Sequence, residues 1–150
     1  GKDEQAVSYW EESLNLETDP YKKAKILYKI ALKFKEKGRK STARNYARKA
    51  LNFQPSLGKA YLMIANLYAS SANNCGNTQF DKRAVYWLAA NTARKAARVD
   101  ASIKKAALKT AVSYDGRAPS KTDIFTEGRA GETISVGCWI GKSISVPNLQ

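Results

Sequence analysis

Apolar residues recur along this chain at helical spacing and then return in register. Leu27, Ile30, Ala31 and Phe34 share one helical face, and Tyr61, Ile64, Ala65 and Tyr68 share another. Steps of three and four residues predict amphipathic helices, each with one buried stripe. On this reading helices cover about 4–17, 21–37, 41–54, 57–71, 80–99 and 101–115. The punctuation agrees with these limits. Thr18-Asp19-Pro20 and Pro55-Ser56 reset the chain, since proline disfavours helix in the residue before it and fits the first turn of a new one. Gly38 can take the left-handed conformation that ends a helix, and Ser41 or Thr42 is expected to cap the next.

The helices also repeat. Ala31 and Ala65 are 34 residues apart, whereas Ala65 and Ala111 are 46 apart. Ala43 to Ala89 and Ala50 to Ala96 are again 46, so a 12-residue insertion falls between Tyr68 and Ala89. Ala6, Trp10 and Leu14 match Ala43, Ala47 and Leu51 at an offset of 37, which makes the first helix the second member of a preceding pair. Paired helices at a period of 34 signal a stacked repeat array. Such arrays present extended surfaces for holding a partner. The core of the insertion, Ser70 to Thr78, is polar and turn-rich. Part of its length is expected to extend the helix that starts near Phe80.

After Tyr114 the pattern changes. Asp115 to Pro119 is a break, and Ser120 to Phe125 suggests one short capped helical turn. Residues 132–146 then alternate. Ile134, Val136 and Cys138 lie on one face, Gly141-Lys142 forms a turn, and Ile144 and Val146 return, which reads as a β-hairpin. A lone hairpin is marginal in water. It is therefore expected to dock onto the exposed end of the stack, where a terminal repeat needs cover.

Charge adds a direction to this picture. The net charge is +13, but residues 1–20 carry six acids against Lys2 alone, while residues 21–60 carry thirteen bases against Glu36 alone. Such a field favours anionic partners, whether acidic peptide or nucleic acid. No run of 18 apolar residues exists to span a membrane. Gly1-Lys2-Asp3-Glu4 reads as a cut end, so a longer parent chain is expected. Histidine is absent, which removes the commonest metal ligand and general base together. No glycine-rich phosphate loop and no paired acids stand out. No catalytic residue, metal site or cofactor is expected.

The run Leu27, Ile30-Ala31, Phe34, Gly38, Ala43, Ala50-Leu51, Pro55 resembles a tetratricopeptide (TPR) repeat, and the likeness covers Ala6 to Tyr114. It implies an all-α stack of about six antiparallel helices over residues 1–115, with the first repeat truncated and the second interrupted by a loop near 70–80. Residues 116–150 would form the C-terminal cap of short helix and hairpin. Three segments, 68–76, 84–89 and 137–141, are similar to the C-terminal part of envelope-associated TPR proteins of Bacteroidetes-type bacteria. That narrower resemblance implies a periplasmic or envelope scaffold whose partner it does not name.

In a TPR stack the first helices of successive pairs build the concave face. Here that face is expected to carry Lys25, Tyr28 and Lys29, then Lys59 and Asn66, then Lys105 and Lys109. Lysines beside apolar residues suit an extended acidic protein segment or peptide. Only Asn66 fits the family's carboxylate-clamp pattern, so a terminal carboxylate is not the expected ligand. The alternative partner is nucleic acid, drawn to Arg39, Lys40, Arg44, Arg48 and Lys49 with Tyr46 among them. Cys75 and Cys138 admit three readings. They form a disulfide if the compartment is oxidising, as envelope export would imply; they are two separate buried thiols; or one is catalytic, which the lack of a histidine base argues against.

Overall fold

The computed structural model describes residues 1–150. Seven helices follow one another: α1 (Lys2–Leu16), α2 (Pro20–Glu36), α3 (Lys40–Phe53), α4 (Gly58–Ser70), α5 (Gln79–Val99), α6 (Lys104–Asp115) and α7 (Lys121–Glu127). Two strands, β1 (Thr133–Val136) and β2 (Lys142–Ser145), close the chain as an antiparallel hairpin, with Ile134 opposite Ile144. The chain is an all-α stack of antiparallel helix pairs carrying a small C-terminal hairpin.

Local chemistry explains where the helices start and stop. Asp19 caps α2, accepting from the amides of Tyr21 and Lys22 at 2.8 and 3.3 Å, and Pro20 opens the first turn. Gly38 sits at φ +75°, and the Arg39 amide reaches back to the Phe34 carbonyl at 2.9 Å, which satisfies an otherwise orphaned acceptor. The start of α3 departs from expectation. It begins at Lys40, with Arg39 as a cap residue whose side chain makes no capping bond, so neither Ser41 nor Thr42 has that role. The turn closed by Gly38 leads straight into the helix and leaves no room for an extended Ser or Thr cap.

The alanines are where the repeat placed them and for the reason it gave. Ala31, Ala43, Ala50, Ala65, Ala89 and Ala96 are all fully buried. With a methyl group at each crossing, paired helices approach closely, and larger side chains such as Leu27, Ile64 and Tyr68 fill the spaces between. Tyr46 is part of this packing: its ring stacks on Phe34 at 5.5 Å and its hydroxyl donates to Glu11 at 2.9 Å.

The insertion divides in two. Residues 71–78 form a loop with one 3-10 turn at Ala72–Asn74, and the remainder lengthens α5 to 21 residues against 14 in α3. Gly76 has no freedom to grow, because a Cβ there would collide with the backbone of Asp81 and Lys82. The loop is thereby pressed against the first turn of α5.

The hairpin docks somewhere other than the end of the stack. It lies on the flank, against α3, α4 and α5, and shares one hydrophobic core with them through Ile134, Val136, Ile140, Ile144 and Val146. The last full helix keeps Val112 71% exposed and Leu108 40% exposed. Apolar surface was present at both places. The flank supplies Arg44, whose guanidinium donates to the hairpin's Ile140 and Trp139 carbonyls.

Candidate functional site

Two surfaces and one internal clamp gather the chemistry of this chain. The lysines expected on the concave face lie on α2, α4 and α6. Lys25, Lys29, Lys59, Lys105 and Lys109 are all exposed, and none of them takes part in an ion pair. Tyr28 of α2 and Lys59 of α4 meet, with the Lys59 ammonium 4.5 Å from the ring centre. Burial of the half-covered Tyr28 hydroxyl pushes its pKa up, so this tyrosine stays neutral across the physiological range. Asn66 is placed differently from the lysines. It is half-buried, and its side-chain oxygen accepts a hydrogen bond from the Tyr114 hydroxyl of α6. Its amide therefore ties α4 to α6, while Lys25, Lys29, Lys105 and Lys109 engage no carboxylate or aromatic ring.

The internal clamp centres on Arg44. Its guanidinium is buried and donates to the Ile140 carbonyl at 2.7 Å, to the Trp139 carbonyl at 3.0 Å and to the Tyr68 hydroxyl at 3.3 Å. The cation also lies 4.9 Å from the Trp139 ring centre. Trp139 donates its indole N–H to the Ser71 hydroxyl at 3.0 Å, and Ser71 in turn donates to the Leu67 carbonyl at 3.0 Å. Lys40 reaches the same Ser71 hydroxyl at 3.1 Å. Of the five basic residues clustered near α3, Lys40 and Arg44 are thus engaged inside the fold. Arg39, Arg48 and Lys49 are left at the surface.

A second set of bonds fastens the segment after α6 to the lengthened start of α5. Arg83 donates to Asp123 at 3.0 Å and to the Ala118 carbonyl at 3.1 Å. Arg129 bridges Asp81 at 2.7 Å and Glu132 at 3.0 Å, and its guanidinium lies 4.8 Å from the Phe80 ring centre. The Ser120 amide and hydroxyl, helped by Arg83, hold the Asp123 carboxyl below the usual range. Hydrogen bonding from Arg129 does the same to Glu132. Cys75 and Cys138 complete the fastening as a disulfide, with Cα atoms 5.4 Å apart. Cys138 adopts a positive φ of 52° in the hairpin loop, outside the strand in which alternation had placed it.

The second surface is a groove of about 490 Å³ between α3 and α5, floored by α4 and bordered by the hairpin at Lys142. Sequence reasoning passed over this groove and the clamp alike. The one available signal was Arg44 followed by Arg48 a turn later. It was read as a single exposed basic stripe, because nothing local reveals that a distant hairpin covers the first and spares the second.

Taken together, fold and surfaces define a helical-repeat protein, with helix pairs stacked side by side and a hairpin locked across them. The chain is similar to Photosystem I assembly protein Ycf3 of Cyanophora paradoxa, at 31% identity over 91 residues, covering 55% of this chain and 53% of that protein. The chain therefore spans about half the length of the curated relative it matches. No protein-family model matches the chain, and no solved structure matches it.

Proposed function

We propose that the protein is a non-catalytic TPR-type scaffold that holds an acidic segment of a protein partner on the face built by α2, α4 and α6. The observation that carries this reading is the set of exposed, unpaired lysines at 25, 29, 59, 105 and 109, spread over three successive first helices beside Tyr28. Unpaired cations arranged along an array attract an anionic chain at long range and fix its register at contact. The similarity to an assembly protein supports a role in bringing other proteins together. The Cys75–Cys138 disulfide supports an oxidising compartment, in keeping with the bacterial envelope that the sequence resemblance implies. No helix is long and apolar enough to cross a membrane.

A salt titration tests the choice of partner. Fluorescence anisotropy of a glutamate-rich peptide and of a mixed-sequence oligonucleotide is followed between low and physiological ionic strength. The expected result is peptide binding that weakens with salt, yet outlasts oligonucleotide binding. Tight oligonucleotide binding at physiological salt, with no peptide binding, would overturn the reading.

A further inference from the structure

We infer that the groove between α3 and α5 is a second binding site, and that it takes an extended acidic segment of a protein partner. The inference rests on the reading of the protein as a partner-binding scaffold but concerns the opposite side of the stack. Four cations line the groove, Arg48, Lys95, Arg98 and Lys142, and no carboxylate does. Arg98 and Lys142 have no hydrogen-bond or ion-pair partner. Arg48 has only a long 3.5 Å contact with the Tyr68 hydroxyl, and the Lys95 ammonium rests 5.1 Å from the Tyr61 ring centre. Leu51, Ile64 and Leu88 supply an apolar floor, and Asn52, Asn91 and Thr92 supply neutral polar groups.

Beside the groove, an arginine of α3 already holds a segment of this chain. Its own hairpin lies between the same two helices, with the Trp139 and Ile140 carbonyls accepting from Arg44. Arg48 stands one helical turn further along α3, and Lys142 is the one hairpin residue that borders the groove there. One turn of helix advances about 5.4 Å, and two residues of extended chain advance about 6.6 Å. Lys95 and Arg98 are three residues apart on α5, about 4.5 Å along its axis, within side-chain reach of acidic residues at alternate positions of an extended segment. The α5 wall from Leu88 to Arg98 is about 15 Å long at the helical rise, room for roughly four or five extended residues. The groove is open to solvent along its length, which suits a chain passing through better than a small molecule needing enclosure.

The test is a titration of the isotope-labelled full chain with an alternating Glu-Ser octapeptide, read by backbone amide shifts, with inorganic pyrophosphate as a second arm. Saturable shifts at Arg48, Asn52, Asn91 and Lys95 are expected, and Arg48→Glu with Arg98→Glu should weaken binding at least about tenfold. Both arginines are exposed, so the double variant keeps its fold, as an unchanged amide spectrum away from the groove will verify. Shifts confined to α2 and α6, insensitive to that double variant, would overturn the groove while leaving the scaffold reading intact. Pyrophosphate moving the same amides with equal affinity would show a simple anion site and overturn the peptide occupant. Absence of saturable shifts overturns the inference outright.

Discussion

Arg44 shows how one side chain can settle the position of a whole motif. A buried guanidinium is costly unless its donors are matched, and here three acceptors and two aromatic rings surround it, leaving only Nε without a partner. Arg44→Leu would strand the Trp139 and Ile140 carbonyls under the hairpin. A loss of about 2–4 kcal/mol is expected, seen as a lower urea midpoint. Arg44→Lys should not restore it, because a single ammonium cannot span the Trp139 and Ile140 carbonyls as the planar fork does. Stability equal to that of the native chain in either variant would refute the clamp. The same scale carries a pH effect. Asp123 and Glu132 have pKa values lowered in the fold, so the unfolded chain binds more protons between the folded and unfolded values. Their stabilisation is present above the ordinary carboxylate range, about pH 4, and is lost as pH falls through the lowered values. Thermal melts should therefore show a falling midpoint below about pH 4, and Asp123→Asn should flatten part of that fall.

At the scale of elements, the insertion in the second pair is the feature that organises the C-terminus. It provides Cys75, the buried Ser71 and the extra first turns of α5 that carry Asp81 and Arg83. The disulfide, the Trp139–Ser71 bond and the ion pairs of Arg83 and Arg129 all use one of them, whereas the Arg44 clamp does not. The disulfide closes a span of 63 residues, worth about 4 kcal/mol by the chain-entropy relation. Cys75→Ser with Cys138→Ser should lower the unfolding free energy by an amount of that order, and reduction of the native chain should do the same. An unchanged midpoint after reduction would mean that the clamp alone fixes the hairpin. Much of this level was legible in advance. The helices fall within a few residues of the limits set by Pro20, Gly38 and Pro55, and Ser120 caps α7 through a reciprocal bond with Asp123. Those features are local, written in spacing and turn chemistry. The docking of the hairpin is not local. It depends on Arg44, which sits 95 residues before Trp139, and one-dimensional patterning carries no record of such a meeting.

For the whole molecule, charge and shape act together. The acids of the first helix and the free cations of the later ones give the stack an electrical polarity along its length. The hairpin locks the flank and leaves Leu108 and Val112 of α6 exposed. Of the proposed surface, the repeat register gave the positions on α2, α4 and α6, and the structure adds that the five lysines are exposed and that Lys59 lies over Tyr28. Asn66 was readable by position but not by role, since its bond to Tyr114 depends on how α6 folds back over α4. The most direct test of the scaffold reading is partner capture from envelope extract with two charge-reversed chains compared against the native one. One carries Lys25→Glu, Lys59→Glu and Lys105→Glu, and the other carries glutamates at three exposed lysines outside α2, α4 and α6, Lys2, Lys49 and Lys121. The expected result is a salt-sensitive set of captured proteins that the first variant loses and the second retains. Equal capture by the native chain and the first variant would contradict the account.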